Sequence, residues 1–155
     1  MFTTDDYLQI AVSLFGTLGF GVLFNIRGKK LAIAGVGGMV AWLLHLLLFK
    51  LLENEVLCYL IVSLSMAIYS EIAARRLKTP AITFEILSLI PLIPGSALYY
   101  SIAFALEGDQ QLFIEKAVHT LSLAAALSVG IILVSATMKY INVWKAHQNN
   151  KFSAR

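Results

Sequence analysis

Ala81-Ile82-Thr83-Phe84-Glu85-Ile86-Leu87-Ser88-Leu89-Ile90-Pro91-Leu92-Ile93-Pro94-Gly95-Ser96-Ala97-Leu98-Tyr99-Tyr100-Ser101-Ile102-Ala103-Phe104-Ala105-Leu106 is an almost unbroken apolar run with one acid and two prolines near its middle. It is longer than the roughly 20 residues with which an α-helix crosses a bilayer. Each proline lacks an N–H and clashes with the carbonyl four residues back. Each also pushes its predecessor, Ile90 or Ile93, away from the α region. Two prolines three apart, followed by glycine, predict a span that is broken and not merely bent. Irregular backbone at that depth survives only where protein covers it or where it lines a cavity. This stretch therefore sets both the fold class and the first candidate site.

Working outward, four more apolar runs have membrane length: 7–26, 31–49, 56–74 and 118–140. With 59% hydrophobic and 14% charged residues the chain lies far from the soluble average, which is about 45–50% apolar and 25% charged. The runs lack the polar face that a water-exposed helix needs. The expectation is an all-α, polytopic integral membrane protein with about five transmembrane helices, the fourth broken at the Pro-x-x-Pro-Gly segment. Residues 1–140 form one transmembrane domain and 141–155 a polar, partly disordered cytoplasmic tail. No connection is long enough to separate two domains, and no internal repeat is evident.

The charges orient the spans. Arg27, Lys29 and Lys30 fall in the first connection, Arg75, Arg76 and Lys78 in the third, and Lys139, Lys145, Lys151 and Arg155 at the end of the fifth span and beyond. Only Lys50 and Lys116 lie on the other side, which also holds Asp5, Asp6, Glu53, Glu55, Glu107, Asp109 and Glu115. By the positive-inside rule the N-terminus is outside and the C-terminus cytoplasmic. The net charge of +3 reflects this topology. It does not point to nucleic acid, because no basic stretch is interleaved with stacking aromatics. Asp5 and Asp6, with no basic residue before the first run, do not read as a cleavable signal peptide. The single cysteine, Cys58, allows no intramolecular disulfide and reads as packing filler.

The fourth span carries the candidate site. It runs from inside to outside, so its second half begins near Pro94, a residue suited to a first helical turn. The N–H groups of Gly95, Ser96 and Ala97 then point toward the membrane centre, where a helix N-terminus favours an anion such as a carboxylate. Gly95 allows close approach to the backbone, the Ser96 hydroxyl adds a donor or acceptor, and Tyr99 or Tyr100 lies one turn on. The competing reading is a structural kink packed against its neighbours.

Two acids lie in or near spans. Glu71 precedes Arg75 by four residues, which suits an ion pair near the inner interface. Alternatively Ser63, Ala67 and Glu71, which share a helix face, line a polar route. Glu85 is only about 7 Å beyond Pro80 at the helical rise, close enough for interfacial water. His45 and His119 have no second ligand at i+4, so no metal or other cofactor is expected. Without a catalytic constellation or a phosphate loop, no enzyme is expected either. Small residues four apart (Thr17 and Gly21, Ala34 and Gly38, Gly37 and Ala41, and Ser122, Ala126 and Gly130) predict close helix contacts, as do Gly16 and Gly19, within the chain or with another subunit, including a homo-oligomer.

Two stretches carry a resemblance. One is Phe24-Asn25 followed by the glycine-rich Leu31 to His45. The other runs from Glu71 through Arg75, Pro80 and Phe84 to Ile90-Pro91-Leu92-Ile93-Pro94-Gly95, with Tyr99 following. Together they resemble the C-terminal membrane domain of the threonine/serine exporter family. Long members of that family fuse this domain to a larger membrane domain, and split members encode the two separately. The resemblance thus implies a companion membrane subunit and a place in the bacterial inner membrane. It also implies export of small carboxylates: threonine and serine in some members, dicarboxylates such as succinate in split members. Arg27-Gly28-Lys29-Lys30 and Trp42-Leu43-Leu44 depart from the split-member pattern and leave the choice of substrate open.

The sequence therefore reads as a subunit of a secondary exporter, since no ATP-binding motif is present. Pro91, Pro94, Gly95, Ser96, Ala97, Tyr99 and Glu71 are its candidate substrate-binding residues. The alternative is a non-transporting membrane scaffold that stabilises a companion transporter.

Overall fold

Local chemistry sets each helix boundary in the computed structural model, which describes residues 3–153 and their side chains as far as Trp144. Helix α1 (Thr4–Leu23) opens on a capping box in which the Thr3 hydroxyl accepts from the Asp6 N–H and the Asp6 carboxylate accepts from the Thr3 N–H at 2.8 Å. These are two of the donors a helix start leaves unpaired. Helix α2 (Lys29–Leu52) begins after Gly28, whose φ of 63° is the left-handed turn that glycine takes freely. Helix α3 (Glu55–Leu77) is capped by the Asn54 side chain, which accepts from Leu57 N–H at 3.1 Å.

Helix α4 (Ala81–Leu89) starts directly after Pro80 and passes into a single 3-10 turn, Ile90–Leu92. Helix α5 (Gly95–Glu107) follows and stops at Gly108 in the left-handed region. The axes on the two sides of the break differ by 57°. Helix α6 runs from Gln110 to Ser153, opened by the Asp109 carboxylate accepting from Leu112 N–H at 3.1 Å. Among the described residues, four helices are long and apolar enough to cross a membrane, and there are five such elements if the bent pair α4–α5 is one span.

The sixth helix differs from the sequence reading at both ends. Residues 110–117, expected as a connection, and residues 141–153, expected as tail, are helical. Polar residues weaken membrane burial but do not stop a helix. Between Gln110 and Ser153 there is no proline, and the one glycine, Gly130, is buried. Of the basic residues assigned to the inner side, Lys145 and Lys151 lie beyond the described side chains and Arg155 beyond the described residues.

Helices α2 and α3 form the centre. α1 packs on α2, α4 packs on α2 and α3, and α6 packs along α3. One core cluster joins Ala41, Tyr59, Val62, Met66, Leu92 and Leu123, and a second joins Ala34, Ala73, Ala74, Phe84 and Leu87. Most of the small residues do what their spacing predicts. A Cβ on Gly38 would meet the Thr17 side chain, one on Gly37 would meet Ser88 and Tyr69, and one on Gly130 would meet Ser63 and the backbone of Leu64. Gly16 and Gly19 face open space instead. At the acidic end of the bundle, Lys50 pairs with Asp6 and His119 meets Glu55 at 3.0 Å, tying α1 to α2 and α3 to α6.

Helix α5 is the exception to this packing. Its extended contact among the described residues is with α6, and only Ser101 of its residues is buried. Leu98, Tyr99, Tyr100, Ile102 and Leu106 all point away from the rest of the chain.

Candidate functional site

The break is built by Pro94. Its φ of −74° and ψ of 61° form an inverse γ-turn, in which the Gly95 N–H donates to the Ile93 carbonyl at 2.6 Å. Of the three amides expected to be free, that of Gly95 is thus already paired. The helix ladder resumes where the Leu98 N–H donates to the Pro94 carbonyl at 3.0 Å. Between these two bonds the Ser96 and Ala97 N–H groups make no hydrogen bond to a described residue. Both stand at the positive end of α5, which has no side-chain cap.

These amides lie on the outside of the chain. Gly95 and Ser96 are exposed, Ala97 is half-buried, and a Cβ at Gly95 would meet nothing within 4 Å. Tyr99 is 66% exposed and rests edge-on against Tyr100, with ring centroids 5.4 Å apart. A hydrocarbon phase offers such groups no partner, so the surface here suits either a polar ligand or a covering protein.

Two hollows lie beside α4 on the side of the break toward the basic end. The nearer is a cavity of about 210 Å³ between α4 and α6, lined by Glu85, Leu89 and Ile93 on one side and Leu127 and Ile131 on the other. It exists because α4 and α6 both lean on α3 without extended contact between themselves. Below it is an open polar vestibule of about 360 Å³ lined by Glu71, Arg75, Lys78, Thr79, Ala81 and Asn142. Ala81 of the vestibule and Ile82, Glu85 and Leu89 of the cavity lie on α4, and Ile93 follows the 3-10 turn, so the two hollows are neighbours along this segment of the chain.

A separate groove of about 360 Å³ lies on the other side of the break, between α1, α2 and Pro91. Its lining is mainly apolar. Gln9 and Trp42 sit at its mouth, the indole N–H donating to the amide oxygen of Gln9 at 3.2 Å. At its floor the Ser13 and Thr17 hydroxyls donate to backbone carbonyls of their own helix, each at 2.7 Å.

The expected site residues are only partly brought together. Pro94, Gly95, Ser96 and Ala97 form the break, Pro91 faces the α1–α2 groove, and Tyr99 faces outward. Glu71 is in the vestibule and pairs with Arg75 at 3.5 Å, as the i,i+4 spacing predicts. The polar lining expected from Ser63 to Glu71 is absent above Glu71. Ser63 and Ala67 are buried in the α3–α6 seam, and the Ser63 hydroxyl donates to the Leu60 carbonyl at 2.9 Å. Gly130 opposite Ser63 is what lets the two helices close over that face. His45 is enclosed by the rings of Trp42, Phe49 and Tyr59. The groove residues Gln9, Ser13, Thr17 and Trp42 were not foreseen, because only the packing of α1 on α2 brings them to Pro91.

The family model described as Threonine/Serine exporter, ThrE matches residues 9–137, most of the chain and all of the break. No curated protein and no solved structure matches the chain.

Proposed function

The chain belongs to the threonine/serine exporter family, and from that premise we propose that it is one subunit of a secondary exporter of small carboxylates, threonine and serine or a dicarboxylate, working with a companion membrane subunit. The observation that carries this reading is the pair of unpartnered amides at Ser96 and Ala97, open to the outside of the chain at the head of the α4 hollows. The substrate enters from the basic end, where Arg75 and Lys78 attract its carboxylate, and the two amides then hold that carboxylate at mid-membrane. The companion covers the same surface, which supplies the protein wall that irregular backbone at this depth requires.

Efflux from vesicles preloaded with labelled serine, threonine or succinate tests this. This chain alone, the companion alone and the two together are compared. Efflux only with both is the expected result. Equal efflux from the companion alone would make this chain a scaffold, a reading that the one-sided packing of α5 also accommodates.

The orientation is a second part of the proposal: bacterial inner membrane, N-terminus outside, C-terminus cytoplasmic. The native Cys58 is fully buried, so single added cysteines report cleanly. A membrane-impermeant maleimide should label Glu107→Cys in intact cells and Arg76→Cys only after the cells are opened. The reverse pattern would invert the entry side.

A further inference from the structure

The groove between α1, α2 and Pro91 is separate from the hollows beside α4 and has no part in the substrate path proposed above. Along α1 its lining runs from Leu8 to Thr17. That is about 14 Å at the helical rise, close to half of a hydrocarbon core about 30 Å thick. The groove begins just below the acidic end of the bundle and stops at the break, so it spans a single leaflet. Spread over that length, its volume of about 360 Å³ makes a slot too narrow for a helix about 10–12 Å across and wide enough for one hydrocarbon chain. Gly16 gives the slot its depth. A Cβ there would meet nothing within 4 Å, whereas one on Gly21, Gly35, Gly37, Gly38 or Gly130 would run into a neighbour. The floor asks for no polar partner, since the Ser13 and Thr17 hydroxyls donate to carbonyls of their own helix. At the water end the chemistry changes. Asp5 stands three and four residues before Leu8 and Gln9, on the same helix face, and is exposed. It takes part in none of the ion pairs of the described residues. Lys50, also exposed, is held near it through the pair with Asp6.

We propose that this groove seats one acyl chain of a phospholipid from the leaflet at the acidic end, and that the headgroup of that lipid is phosphoethanolamine. The chain lies along Leu8, Val12 and Gly16 and ends against Pro91. The ammonium group of the headgroup faces Asp5, and the phosphate faces Lys50. A phosphoglycerol headgroup brings the phosphate without a cation and meets the like charge of Asp5 and Asp6, which is the element that rejects it. A phosphocholine headgroup has a cation without N–H groups, so it forgoes the charge-assisted hydrogen bond to Asp5. The seated chain covers the Pro91 side of the irregular backbone with a hydrocarbon surface that needs no partner. Lipid seating is independent of the substrate and of the direction of transport.

Trp42 lines the groove and reports on it directly. Trp144→Phe leaves Trp42 as the one tryptophan of the full chain. That chain is placed in phosphatidylcholine vesicles holding rising fractions of a phospholipid brominated on its acyl chains, and quenching of Trp42 fluorescence is measured. Brominated phosphatidylethanolamine should quench in a saturating manner. Its half-maximum should lie at least about fivefold below that of brominated phosphatidylglycerol, the effect expected of two exposed charge contacts. Gly16→Phe fills the slot and should leave only quenching proportional to the brominated fraction, equal for the two lipids. Gly19→Phe, which faces open space outside the groove lining, should behave as the parent chain. Asp5→Lys should reverse the preference in favour of phosphatidylglycerol. If Gly16→Phe does not fold, Asp5→Lys decides: a reversed or lost preference supports the proposal, and an unchanged one overturns it. Quenching of the parent chain that ignores the headgroup overturns the proposal, as does saturating quenching that survives Gly16→Phe. Absence of quenching also overturns it and means that protein covers the groove; a disulfide-linked dimer of Gly16→Cys would then identify that protein as a second copy of this chain.

Discussion

Gly95→Leu should insert in the membrane at the wild-type level and lose nearly all efflux. The two halves of that expectation have separate causes. A Cβ at position 95 meets nothing within 4 Å, and the residue is not among those with positive φ. Leucine is also a better helix former than glycine, by about 0.8–1 kcal/mol, so the fold of this chain gives no reason for loss. Transport is different. The new side chain lies on the open surface over the break, beside the Ser96 and Ala97 amides. A hydrogen bond to a charged group contributes about 1.5–3 kcal/mol, and each 1.4 kcal/mol is about tenfold in affinity. Blocking both amides should therefore weaken substrate binding by about a hundredfold or more. Gly95→Ala, with only a methyl group, should fall between. The measurement is initial efflux rate normalised to the amount of inserted chain, with the companion present. Wild-type efflux from Gly95→Leu would remove the break from the pathway.

Much of the fold was legible because membrane spans are set by length and apolarity, which a sequence states directly. The connections are short and the basic residues fall at alternate turns, so the order of spans left little freedom. The break was equally legible, since Pro91 and Pro94 act through their own backbone. The rest of the structure depends on atoms outside the local window. Gly95 was expected to offer a free amide, but the Pro94 conformation turns that N–H back onto Ile93, and proline fixes φ without fixing ψ. Ser63 looked like a lining residue because it shares a face with Glu71. Whether that face opens or closes depends on Gly130, far along the chain. Helix α6 outruns its apolar stretch because loss of hydrophobicity ends membrane burial without ending a helix. Glu85 is legible in the sequence as an acid, but its cavity follows from α4 and α6 standing apart on α3, which no local pattern contains.

The exposure of α5 bears on the proposed companion as well as on the proposed substrate. An apolar helix facing lipid needs no explanation, and Leu98, Ile102 and Leu106 satisfy that description. Ser96 and Ala97 do not, because their open backbone N–H groups and the Ser96 hydroxyl carry hydrogen-bonding capacity that lipid cannot meet. In an oligomer that covers this face, the substrate path is shared between two proteins, each incomplete alone. The proposed pairing with a companion would cover the Ser96 and Ala97 amides, which lie on the outer surface of the chain and not within its core.

Ser96→Pro separates the backbone from the side chain at this position, and it should weaken substrate binding by about ten- to a hundredfold, the worth of one charge-assisted hydrogen bond. Proline is tolerated in the first turn of a helix, where its missing N–H has no helical partner to lose. Its usual restriction on the preceding residue acts partly through that residue's Cβ, and the preceding residue here is Gly95, which has none. Helix α5 should therefore persist while one of its two open amides is removed. Ser96→Ala is the complementary change: it keeps the amide and deletes the hydroxyl. If the amides hold the substrate carboxylate, Ser96→Ala should stay within about twofold of wild type, since a surface hydroxyl contributes little on its own. Equal losses in both variants would assign the contact to the hydroxyl. Full activity in both would mean that the positive end of α5 serves the bend between α4 and α5 alone, and that the substrate crosses elsewhere.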